Sequence, residues 1–194
     1  MKNMDCLTEK SENNWLKTYI ECEVYKGKIG IIQRFYYKHL NPSTNAVYLI
    51  RKMQYLYKNK GRIGFYLSQH LSRVLIKRYG LFVSPKCVIE MGLSLPHPNG
   101  IIIGEAVQIG RNCKIFQQVT IGSSKPGDYI KGMQPKIGNN VWLFAGSKVI
   151  GDIIVEDETC LGANAVLLSN TERGVYVGVP ACRTSTQVTW SDAY

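Results

Sequence analysis

The chain of 194 residues contains three histidines, His39, His70 and His97. His97 sits between two prolines in the run Pro96-His97-Pro98-Asn99-Gly100. Its imidazole, with an unperturbed pKa of ~6.5, offers a neutral base near pH 7. A turn needs no imidazole, so His97 is the first candidate for chemistry. His39 and His70 fall in helical stretches and are expected to serve those helices. The six cysteines (Cys6, Cys22, Cys87, Cys113, Cys160 and Cys182) lack CxxC spacing. They are expected to be structural, with Cys113 and Cys160 acting as small buried hydrophobes, and no metal site is expected.

An aliphatic frame must position His97. It recurs every six residues at Ile103, Ile109, Ile115 and Ile121, and again at Ile137, Leu143, Val149, Val155, Leu161 and Leu167. The fifth place of each hexad is small or β-branched, as at Val107, Cys113, Val119, Val141, Ser147 and Ala165. Neither a helix nor a half-buried strand has period six. Short β-segments joined by tight corners do, with apolar residues stacking from coil to coil, so the frame predicts a solenoid. Gly follows the aliphatic at Gly104, Gly110, Gly122, Gly138 and Gly162, where it is expected to ease the corner geometry. The frame extends upstream through Val83, Ile89 and Leu95, and breaks twice. Two extra residues precede Ile103, around His97, and about ten leave the coil between Ser123 and Gln134. Insertions in a solenoid fall on one face and tend to carry binding, so both breaks are candidate sites.

Residues 1–80 hold 15 Lys and Arg against 5 Asp and Glu, and the remainder is neutral, so the formal charge of +10 belongs to the N-terminal part. That part reads as helical. Val47, Ile50, Met53, Gln54 and Tyr57 share a face after the start signal Pro42-Ser43-Thr44. Gly61 to Gly64 is expected to break the helix, and a second runs from Phe65 to Tyr79, closed by Gly80. Trp15 to Tyr37 is expected to be helical with a break near Gly27 to Gly30. The expected organisation is a basic helical region over 1–80, a β-solenoid over 81–184 with a loop at 123–134, and a tail over 185–194. No nucleic-acid signature accompanies the basic residues, so nucleic acid is not an expected partner. A solvated helical face or attraction of anions accounts for them. Met1 to Asn14 has no signal-peptide pattern and no stretch is long and apolar enough to span a bilayer, so a cytoplasmic location is expected.

Four segments carry a resemblance: Leu95 to Glu105, Phe116 to Gly122, Pro135-Lys136-Ile137-Gly138 and Gly178-Val179-Pro180-Ala181. With them the chain resembles the serine acetyltransferase branch of the hexapeptide-repeat acyltransferases over residues 81–184. The resemblance implies a left-handed parallel β-helix of about 18 residues per coil, built as a homotrimer or a dimer of trimers. It implies acetyl-CoA as co-substrate, no metal, and transfer of acetyl to a hydroxyl that His97 deprotonates. Carried over by position, the coenzyme site falls on Gly122, Ser123, Ala145, Gly146, Ala163, Pro180 and Arg183, with Lys148 and Lys125 as further phosphate candidates. Ala145 and Gly146 stand in the family's Gly-Ala-Gly-Ala step. Asn99, Gln117 and Gln134 are the expected acceptor contacts.

Four departures bear on the acceptor. Pro96 replaces an Asp, Met133-Gln134 replace Arg-His, and Phe82 stands where the family places the Asp that orients the imidazole. A zwitterion would leave charges unpaired at such a site. The expected acceptor is therefore a sugar hydroxyl in surface polysaccharide (capsule, exopolysaccharide or O-antigen) biosynthesis, with a peripheral contact to membrane or lipid-linked glycan. The alternatives are serine O-acetylation in cysteine biosynthesis and a non-catalytic solenoid binding module.

Overall fold

The computed structural model describes residues 15–183 apart from Lys26 and Lys28. Cys6 and the tail over 185–194 lie outside the described residues. From Phe82 onward the chain winds as a left-handed parallel β-helix whose strands form three sheets. The first face stacks β1 (Phe82–Val83), β3 (Ile102–Ile103), β6 (Thr120–Gly122), β9 (Lys148–Ile150) and β12 (Val166–Leu167). The second stacks β2 (Val88–Ile89), β4 (Gln108–Ile109), β7 (Lys136–Ile137) and β10 (Ile154–Val155). The third stacks β5 (Lys114–Ile115), β8 (Trp142–Leu143), β11 (Cys160–Leu161), β13 (Val175–Val177) and β14 (Cys182–Arg183).

The register reproduces the frame and both breaks. On the first face Ile102 pairs with Thr120 and Lys148 with Val166, each 18 residues apart. Phe82 pairs with Ile102, 20 apart, and Thr120 with Lys148, 28 apart. The excess is the two residues around His97 and the ten of the loop, so neither insertion disturbs the wall. The aliphatic column from Val83 to Leu167 points inward, each member at most 6% exposed. Burying each such side chain is worth about 1.5–3 kcal/mol, and the repetition of that gain is what fixes the coil.

The corners correct the expectation about glycine. Left-handed backbone falls three residues after the aliphatic, at Asn112, Gln118, Asn140, Glu158 and Asn164. Of the glycines directly after the aliphatic, Gly104, Gly110, Gly138 and Gly162 serve a different need, which is close approach of neighbouring chain segments, while Gly122 has open space around it. A Cβ on Gly138 would lie 2.4 Å from Asp157 Oδ1, and one on Gly110 would lie 2.6 Å from the carbonyl oxygen of Gly138. Coils stack too tightly there for a side chain that points along the axis.

The helical region caps the first coil. α1 (Trp15–Tyr19) passes into a π-helical turn over Ile20–Tyr25, and α2 (Ile31–Phe35) into another over Tyr36–Leu40. α3 (Pro42–Asn59) starts where the Asn41 side chain accepts from the backbone of Thr44 and Pro42 opens the first turn. α4 (Gly61–Tyr79) ends on Gly80 at φ 59°. The expected break over Gly61 to Gly64 shrinks to Lys60 alone. Gly64 lies inside α4, where a Cβ would meet the Leu56 carbonyl oxygen at 2.1 Å, so it permits a close crossing of the two helices. Arg51 reaches from α3 to the carbonyls of Ile89 and Glu90, and Gly100 N–H donates to the Tyr79 carbonyl. At the far end β14 folds back antiparallel on β13. Both ends of a stack of parallel strands are thereby covered.

Candidate active site

The corner between the third and first faces carries most of the predicted site residues. In the first coil the two-residue insertion puts His97 at the surface while Pro98 is buried beneath it. Asn99 N–H donates to the His97 carbonyl at 2.7 Å, which closes the turn. The next coil places Phe116, Gln117 and Gln118 at the same corner, the third Phe144, Ala145 and Gly146, and the fourth Gly162, Ala163 and Asn164. Backbone bonds join these levels: Gln118 N–H to the Asn99 carbonyl, Gly146 N–H to that of Gln117, and Asn164 N–H to that of Ala145. Val166 N–H donates to the Gly178 carbonyl one level further on, beside the exposed Val179 and Pro180. His97, Asn99, Gln117, Ala145, Gly146, Ala163 and Pro180 therefore lie along one edge, with the imidazole at one end.

The other candidates lie elsewhere. Gly122 and Ser123 begin the loop at the opposite edge of the first face, where Gly151 N–H donates to the Gly122 carbonyl. Gln134 ends that loop, buried at 2% exposure beside Gly104, and its Oε1 has no hydrogen-bond donor among the described residues. Gln117 Oε1 is likewise buried without a donor. Within one chain the two edges do not meet. Arg183 is already held, by Glu172 Oε2 at 3.1 Å and the Arg173 carbonyl at 2.9 Å. Lys148 Nζ donates to the Gly146 carbonyl at 2.8 Å, next to the edge. Lys125 is exposed in the loop.

Cys87, Cys113 and Cys160 are buried. Burial pushes the Cys87 and Cys113 thiols up to about 12 and raises that of Cys160. Among the described residues no three His, Cys, Asp or Glu side chains cluster as a metal site would require.

Two residues of this edge escaped the sequence reading. Phe116 and Phe144 stand directly after the aliphatic column, where five other hexads have Gly. Their rings stack at 5.0 Å between centroids and 13° between planes. The His97 ring lies 6.4 Å from that of Phe116. An aromatic in a glycine position was the available signal.

A coiled wall of three parallel sheets, with an exposed imidazole at one end of an edge lined by small residues, defines an acyltransferase of the hexapeptide type. The family model for the bacterial transferase hexapeptide (six repeats) matches residues 134–169. A serine acetyltransferase of Helicobacter pylori is 33% identical over 135 residues, covering 70% of this chain and 76% of the relative. One from Staphylococcus epidermidis is 36% identical over 126 residues, covering 64% of this chain and 57% of the relative. The crystal structure of Neisseria gonorrhoeae serine acetyltransferase in complex with serine superposes with a TM-score of 0.72 at 25% identity, over 87% of this chain and 69% of the other. A serine acetyltransferase in complex with CoA shares the fold, with a TM-score of 0.67 at 23% identity, over 86% of this chain and 66% of the other. This chain belongs to the hexapeptide-repeat acyltransferases, in the serine acetyltransferase-like branch. As such it is an O-acetyltransferase that uses acetyl-CoA.

These likenesses overturn the expected polysaccharide acceptor, because the named relatives, one of them bound to serine, are serine acetyltransferases. The charge argument failed because it treated Phe82, Pro96, Met133 and Gln134 as the whole acceptor site. A charge missing at an aligned position does not exclude a charged ligand when neighbouring groups carry charges of both signs.

Proposed function

We propose that this chain is a serine O-acetyltransferase, transferring acetyl from acetyl-CoA to the hydroxyl of L-serine as a step toward cysteine. The single observation behind the acceptor is the likeness to named serine acetyltransferases over three quarters of the Helicobacter relative. The geometry supports the rest. His97, exposed at the end of the edge, takes the hydroxyl proton as the serine oxygen bonds to the thioester carbonyl carbon. The carbon–sulfur bond breaks, and the imidazolium returns the proton to the departing thiolate. The coenzyme lies along Ala145, Gly146 and Ala163 toward Pro180, where small side chains let it approach the backbone. Lys148 is better placed than Arg183 to meet its phosphates, since Glu172 already neutralises Arg183.

The acceptor pocket needs two copies of the chain. His97 lies at one edge of the first face and Gln134 at the other, so a trimer that sets one edge against a neighbour's opposite edge completes the site. There the buried Oε1 of Gln134 accepts from the ammonium of serine, and Lys125 or Lys131 meets its carboxylate. The reading places the enzyme in the cytoplasm with its acetyl-CoA. The test is thiol release from acetyl-CoA with L-serine against L-threonine, glycerol and free sugars, with the product identified by mass. Saturable formation of O-acetylserine as the preferred product is expected. Absence of saturable turnover with L-serine would overturn the reading.

A further inference from the structure

We infer that Phe116 is a positioning residue for His97: its ring sets the orientation of the imidazole that accepts the hydroxyl proton. The inference rests on the proposal above that His97 is the base. A general base works when a third group fixes its direction. None of the described residues makes a hydrogen bond to the His97 imidazole, and Phe82, at the aligned position of the orienting acid, carries no acceptor. The ring that meets the imidazole among the described residues is Phe116, with centroids 6.4 Å apart and planes at 49°.

The surroundings make that contact rigid. Pro96 and Pro98 fix φ at the residues on either side of His97, and Pro98 restricts the His97 backbone to the extended region. Phe116 is held from below by Phe144, at 5.0 Å and 13°. Phe144 meets Trp142 at 6.1 Å and 61°, and Lys114 Nζ lies 3.9 Å over the Trp142 ring. The backbones under both phenylalanines are tied into the wall, Phe116 N–H to the Leu143 carbonyl and Phe144 N–H to that of Leu161. The aromatic column thus starts at a fixed sheet and ends on the base. Packing that locks a side chain into one rotamer pre-organises a site as a hydrogen bond would. It also accounts for rings at these two positions, where five other hexads have Gly.

The test is a double-substitution cycle on the full chain, read as kcat and as KM for acetyl-CoA and L-serine, with single-turnover thiol release to reach residual rates. Phe116→Ala should lower kcat about 10-fold with both KM values within about twofold, the cost of a misaligned base. Phe116→Tyr, which keeps the ring, should recover most of the rate, and Phe116→Leu should fall between, which also serves if the alanine variant folds poorly. In a His97→Ala background, Phe116→Ala should cause no further loss, because nothing remains to orient. An equal loss in both backgrounds, a change in KM alone or an unchanged kcat would each overturn the inference while leaving His97 as the base. Full activity of His97→Ala would instead overturn the proposed mechanism itself.

Discussion

Arg51 and Glu23 form a bidentate ion pair at 2.8 and 2.6 Å, and each side chain is 1% exposed. Glu23 Oε1 also accepts from the backbone of Gly92 and Leu93. The two residues couple the helical region to the first coil, the same coil that carries His97. Arg51→Met or Glu23→Leu alone leaves a buried charge unpaired and should cost about 3–5 kcal/mol. Replacing both should cost less than the sum, because no orphan charge remains. Urea unfolding of the four proteins checks this, and additive losses would contradict it.

His97→Ala should reduce acetyl transfer by about 10² to 10⁴-fold. The side chain is exposed in an insertion outside the apolar columns, so the melting temperature should stay within about 2 °C of the parent. Activity within a few-fold of the parent would remove His97 from the mechanism.

A bulky ring on the small-residue edge should exclude the coenzyme. Ala163→Trp and Ala145→Trp should each raise the acetyl-CoA KM at least about 10-fold while leaving the KM for L-serine much less changed. Titration of CoA by calorimetry provides an independent reading. Unaltered CoA affinity in both variants would show that the coenzyme runs elsewhere.

Two glycines in equivalent places should respond differently to the same change. Gly138→Ala puts a methyl group 2.4 Å from Asp157 Oδ1 and should destabilise by about 1–3 kcal/mol. Gly122→Ala meets nothing within 4 Å and should stay within about 0.5 kcal/mol. Denaturation midpoints compare them directly.

Asp157 gives a pH dependence. Hydrogen bonds from the backbone and side chain of Asn139 hold its carboxyl below the ordinary value of 3.8. A depressed carboxyl contributes stability that is present above the unfolded value and lost as pH falls through the folded one. Asp157→Asn should therefore be less stable than the parent at pH 7, with the gap closing as the pH drops below about 4. A gap that widens on acidification would reverse the assignment.

The period of six, with breaks of two and ten residues, was sufficient to predict the solenoid and the exposed positions around His97. Each coil repeats the same local solution, so burial of an aliphatic every sixth residue leaves its mark directly on the sequence. The helix start near Pro42 and the helix end at Gly80 were legible for the same reason, since capping is local chemistry, although the capping side chain is that of Asn41. Other features depended on residues far apart in the chain. Gly64 looked like a helix break until the Leu56 carbonyl beside it showed a crossing, and Gly138 looked like a corner until Asp157 showed a close approach. Arg51 looked like one more solvated cation, whereas 28 residues of separation from Glu23 hide a buried pair. The acceptor was misread because aligned positions were weighed singly, while binding depends on every charge that the fold gathers around the ligand. Only the stacking of coils put Phe116 under His97, because contact between residues 19 positions apart is set by coil length and by the two inserted residues rather than by either side chain.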